Sequence, residues 1–167
     1  MSTNNVLPLN NNQVHFGFGL EAEANRHLQR AASQVASKDA TLSALDKAYE
    51  VAPERLEVLA ARYKYHFYRG ELNTAQEMVM ETLALASRLG DFSSDWESLS
   101  HSSADWNSLR SPARFYLNGL KALAFIRLRQ NEREAAENLL NVLHELDGTD
   151  QVGANVIRDL LVGLQED

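Results

Sequence analysis

Apolar residues recur every three or four positions along most of this chain, and the strict alternation that marks a half-buried strand is nearly absent. Ala, Leu, Glu and Arg dominate, so the pattern predicts an all-α protein. Its punctuation divides it into helices over Glu21–Ala36, Lys38–Val51, Arg55–Arg69, Leu72–Leu89, Pro112–Arg129, Glu132–Leu146 and Val152–Leu164. Pro53 stops the second helix and pre-sets the start of the third, Gly70 supplies a tight turn, and Gly90 is expected to end the fourth. Asp147-Gly148-Thr149-Asp150 breaks the pattern before the last helix. There Val152, Val156, Ile157, Leu160, Leu161 and Leu164 form one apolar stripe, which has to be covered by something.

The helices fall into pairs, and the pairs repeat with a period of about 34 residues, the length of a unit that shares its faces with its neighbours. The run Lys47-Ala48-Tyr49-Glu50-Val51-Ala52-Pro53, followed by Leu59, Arg69-Gly70-Glu71-Leu72 and Ala75, resembles the tetratricopeptide repeat (TPR). That motif ends its second helix in an Ala-plus-Pro signature, turns on Gly between helices and places a small residue early in its second helix. A repeat starting at Leu56 puts Val79 at an aromatic position of the family. One starting at Ala22 carries Leu28, Ala32, Leu45, Ala48 and Pro53 in register, and a third near Leu117 runs through Leu120, Leu123, Ala124, Ala136, Leu140 and Leu143. Arg62 and Tyr63 stand where the family prefers Leu and Gly, and Asn131 replaces the turn glycine of the third repeat. The expected organisation is an irregular arm over 1–19 and one domain over 20–167. Within that domain, repeats lie near 22–55, 56–89 and 117–150, an insertion over 90–116 and a capping helix over 152–164.

The resemblance implies antiparallel helix pairs stacked as a right-handed superhelix, whose first helices line a concave groove that holds a peptide or partner helix without catalysis. Its groove positions fall on Arg26 and Arg30 in the first repeat, on Lys64, Phe67 and Tyr68 in the second, and on Asn118, Lys121, Phe125 and Arg129 in the third. Cations interleaved with aromatics on one wall suit a ligand both acidic and hydrophobic, although Glu23 and Glu57 dilute the charge. Two plainer readings stay open. Phe67 and Phe125 are core residues in a shifted register, or the cations of the third repeat pair with Glu132, Glu134 and Glu137 of the following helix.

Charge sharpens this picture. The net −7 and the pI near 5.2 exclude a duplex nucleic-acid binder, which needs a basic face. Residues 1–130 hold 14 acids and 14 bases, whereas residues 131–167 hold nine acids and two bases, so the acidity belongs to the last helices. From Trp106 to Gln130 there are five cations, Arg110, Arg114, Lys121, Arg127 and Arg129, and no acid.

The insertion repeats itself, Asp95-Trp96-Glu97-Ser98-Leu99 returning as Asp105-Trp106-Asn107-Ser108-Leu109, with small polar residues ahead of each copy suited to capping a short helix. Trp96 and Trp106, the protein's two tryptophans, either pack on the scaffold, the favoured reading, or serve as anchors for a partner. The final stripe either caps the array or pairs the end helices of a symmetric homodimer.

Other chemistry finds no pattern. With no cysteine there is neither a disulfide scaffold nor a thiol nucleophile. His101, Ser102, Ser103 and Asp105 are too crowded for a hydrolase triad, and no G-x-S-x-G elbow or phosphate-binding glycine loop occurs. His15, His27, His66, His101 and His144 lack metal-ligand spacing, and His66 is expected to be packed in the core. No metal, cofactor or catalytic residue is therefore expected. Residues 1–20 contain no Lys or Arg and no long apolar run, and no stretch approaches a membrane helix, so a cytoplasmic protein without membrane contact is expected. The Asn-rich arm contains His15-Phe16-Gly17-Phe18-Gly19, either an aromatic latch for a groove or a mobile leader. The function expected is a protein-binding adaptor or chaperone-like module. The alternatives are a structural or oligomer-forming accessory subunit, and a chaperone similar in size and pI to the small acidic three-repeat chaperones of type III secretion translocators.

Overall fold

The computed structural model describes residues 20–164; the arm with its proposed latch, and residues 165–167, lie outside the described residues. Among the described residues there are seven α-helices, one 3₁₀ turn and no strand. The helices are α1 (Ala22–Ser33), α2 (Lys38–Val51), α3 (Leu56–Tyr68), α4 (Leu72–Gly90), α5 (Pro112–Arg129), α6 (Arg133–Leu146) and α7 (Asn155–Gly163). They form two compact bodies, divided between Pro53 and Glu54.

In the first body α1 and α2 pack on each other, and Ala24, Leu28, Ala31, Ala44, Leu45 and Ala48 are buried. So many alanines allow close approach of the two backbones. The α1–α2 turn is fastened by the Thr41 hydroxyl, which donates to the Gln34 carbonyl at 2.7 Å, and the Ser37 hydroxyl caps α2 by accepting from the Ala40 N–H. α1 ends at Ser33, three residues before the expected Ala36, and the Gln34 carbonyl just past its end accepts both the Ser37 N–H at 2.8 Å and the Thr41 hydroxyl.

In the second body the Arg69–Glu71 turn folds α4 back along α3, with Gly70 at φ +73°, the left-handed region. α5 packs against both α3 and α4, α6 packs against α5, and α7 rests on α5 and α6. Leu59, Val79, Leu117, Leu120, Leu123, Ile126, Leu140 and Leu143 fill the core. His66 is buried as expected, its Nδ1 against the Glu71 carboxylate. Asn131, at φ +63°, supplies the left-handed residue between α5 and α6 that the repeat pattern assigns to glycine. Asn131→Val is expected to destabilise this body by about 1–2 kcal/mol, and Asn131→Gly to leave it within a few tenths, as read from urea unfolding midpoints.

Gly90 does not end α4 as expected; α4 runs through it and Asp91 takes the left-handed position at φ +56°. The glycine has another use. A Cβ there would stand 2.2 Å from the Phe92 ring, so its absence lets that ring fold back over the helix end. Phe92 lies 5.2 Å from Trp106 and edge-on to Tyr116 at 5.0 Å. Trp106 is 3% exposed and its indole N–H donates to the Ser100 carbonyl at 3.0 Å, so it is turned into the scaffold and is not an exposed anchor. Trp96, in the 3₁₀ turn Trp96–Ser98, is half-buried. Within the repeated five-residue segment each aspartate closes its own turn, Asp95 accepting from the Glu97 N–H at 3.1 Å and Asp105 from the Asn107 N–H at 3.2 Å.

Candidate functional site

A groove of about 390 Å³ opens between α3, α5 and α7 in the second body. From α3 come Tyr63, Lys64, Phe67 and Tyr68, which share a face because they are spaced by one, three and four residues around the helix. From α5 come Asn118, Lys121, Ala122 and Phe125 on the same logic. Six residues expected at groove positions, Lys64, Phe67, Tyr68, Asn118, Lys121 and Phe125, are therefore gathered in one concavity. Phe67 and Phe125 are half-buried, 5.2 Å apart, and form part of its wall rather than of the core. Tyr68 is 81% exposed.

The remaining three expected positions lie elsewhere. Arg129 is exposed, with its guanidinium 5.8 Å from the centre of the Phe125 ring. Arg26 and Arg30 are exposed on α1, in the first body. The lining of the groove is drawn entirely from the second.

Sequence reasoning missed the third wall. Gly153, Val156, Ile157 and Leu160 line the groove from α7 and the loop before it. The apolar stripe, expected to be covered as one surface, divides: Val152, Ile157 and Leu161 are buried, while Val156 and Leu160 are 65% and 47% exposed. The stripe itself was visible, but periodicity does not reveal which neighbour covers each side. α7 starts at Asn155 rather than Val152 because the preceding loop is organised by two aspartates. The buried Asp147 carboxylate accepts the N–H groups of Gln151 and Val152 at 3.0 and 2.9 Å. Asp150, at φ +54°, accepts those of Ala154 and Asn155 at 2.6 and 3.2 Å.

Much of the cationic stretch is engaged internally. Arg127 pairs with Glu132 at 2.8 Å, as the plainer reading held, and Arg114 donates to the Gln151 side chain and carbonyl. Lys121 Nζ donates to the Val152 carbonyl at 2.7 Å, tying the floor of the groove to the loop that seats α7. Asn118 donates to the Arg114 carbonyl. Lys64, the more exposed of the two lysines, is desolvated by the surrounding walls, which lowers its pKa below the ordinary lysine value, and the Lys121 ammonium lowers it further. Burial, with a smaller contribution from Tyr68, pushes the Tyr63 hydroxyl up to about 12, so it stays protonated at neutral pH. Two ammonium groups thus stand over an aromatic and aliphatic surface, and the lining includes no carboxylate.

Among the described residues no three His, Asp or Glu side chains converge as metal ligands, and no helix is long and apolar enough to cross a membrane. No family model, curated protein or solved structure matches the chain.

Proposed function

We propose that the protein is a non-catalytic interaction module, adaptor or chaperone-like, that holds an acidic and hydrophobic peptide or helix in the groove between α3, α5 and α7. The observation behind this reading is the pairing of Lys64 and Lys121 over Phe67, Tyr68 and Phe125 in a groove whose lining has no compensating acid. The ligand's carboxylates answer the ammonium groups, and its apolar side chains cover Val156, Leu160 and the rings. The Arg69–Glu71 and Asn131 turns, and α5 resting on α3 and α4, favour a TPR-like character for α3 to α6, with α7 in the place of a capping helix. Binding rather than turnover is the proposed activity, and the cytoplasm its proposed place.

A fluorescein-labelled amphipathic peptide with leucines on one face and glutamates flanking them tests the reading. Its affinity is expected to fall as salt rises above 0.1 M, where the Debye length is about 10 Å. Lys64→Glu should weaken it on the order of tenfold, while a lysine-flanked version of the peptide should not bind the native chain. Affinity should also decline as pH rises through the lowered pKa of Lys64, since the lysine is cationic only below it, and Lys64→Met should remove that decline. Salt-independent binding of both peptides would overturn the reading.

A further inference from the structure

The open face of α7 has the composition that the groove is proposed to take. Val156, Asp159, Leu160 and Gly163 follow the spacing i, i+3, i+4, i+7 and share one face, turned away from the buried Ile157 and Leu161. Val156, Asp159 and Leu160 are exposed, and a Cβ added at Gly163 would meet nothing within 4 Å, so another helix can approach closely there. This face joins two branched apolar side chains to a carboxylate, beside a groove that holds ammonium groups and no acid. α6 lacks that combination: Glu134, Glu137 and Glu145 are exposed on it, but none of its large apolar side chains is.

We infer that a second copy of this chain occupies the groove, as an isologous dimer in which each α7 lies against the α7 and groove of the other. This rests on the proposed groove reading and names an occupant for it. Two-fold symmetry makes each contact twice, so one carboxylate and one ammonium per chain give two ion pairs, Lys64 of each copy facing Asp159 of the partner subunit. Val156 and Leu160 of both copies are covered together, which removes the exposed apolar strip that a single chain leaves in water. Dimer and acidic peptide then compete for one surface.

Sedimentation velocity on the full chain from about 1 to about 200 µM tests this. The native chain is expected to dimerise, and Lys64→Asp and Asp159→Lys should each weaken dimerisation on the order of tenfold, with thermal midpoints unchanged at dilutions where the native chain is monomeric, since both positions are exposed. An equimolar mixture of the two variants should dimerise again, because in the mixed dimer both pairs join opposite charges. A monomeric native chain at the highest concentration, or a mixture no better than its components, would overturn the inference. If the acidic peptide still binds that monomer, the groove reading stands and the dimer alone falls. A dimer that forms while no peptide binds at any dilution sinks the groove reading instead.

Discussion

Trp106→Ala is expected to destabilise the second body by about 3–5 kcal/mol, a fall in thermal midpoint of roughly 10–20 °C, measured by urea and thermal unfolding. The indole is almost fully buried and its ring meets Phe92 and Tyr116, so truncation opens a cavity bordered by two aromatics. It also leaves the Ser100 carbonyl without its 3.0 Å donor. Tyr116 is wholly buried and its hydroxyl, donating to the Ser94 carbonyl at 3.4 Å, is pushed up by burial first and by Asp95 second. The cluster thus joins α5 to both ends of the 91–111 segment. Trp106→Phe should restore most of the loss by refilling the volume, and Trp96→Ala, which removes a half-buried ring, should cost about 1 kcal/mol. Equal losses for Trp96→Ala and Trp106→Ala would contradict this division.

Asp147→Ala is expected to reduce affinity for the acidic peptide by about tenfold or more, beyond its effect on global stability. Its carboxylate receives two backbone N–H groups, of which that of Val152 is buried, and a buried donor left unsatisfied costs about 1–3 kcal/mol. That loss is concentrated in the loop that seats α7. With the loop loosened, the Val152 carbonyl no longer holds Lys121, and Val156 and Leu160 leave the third wall. Hydrogen exchange should speed up across α7 while the amides of α3 to α5 keep their protection. Uniformly faster exchange, or unaltered peptide binding, would show that the aspartate acts on the fold as a whole instead. Asp147→Asn should lie between, since one oxygen can still accept.

How much of this was legible in the chain differs from element to element. α2 and α5 begin and end where periodicity, Ser37, Pro53 and Pro112 place them, because caps and prolines act on their own backbone. The face of α3 and α5 that forms the groove was legible for the same local reason: the helical period puts Lys64, Phe67 and Tyr68 together, and Asn118, Lys121 and Phe125 together. What stayed hidden depends on partners distant in sequence. Lys121 was legible as a groove cation, but not the bond by which its ammonium also holds a carbonyl 31 residues away. Asp147 and Asp150 looked like simple helix breakers, whereas their oxygens build the loop that follows. Gly90 suggested a helix end, and only the position of the Phe92 ring explains why the residue is small.

The 91–111 segment also bears on how the second body assembles. α3 meets α4, and α5 meets α6, across turns of a few residues, so those hairpins close quickly and with little loss of chain freedom. α4 and α5 meet only after a loop spanning residues 91–111 has closed, at an entropic cost of about 3 kcal/mol. Phe92 and Trp106 sit near the two ends of that loop and touch each other. The aromatic cluster is therefore a clasp across that loop, holding its two ends together where the two hairpins join in one core.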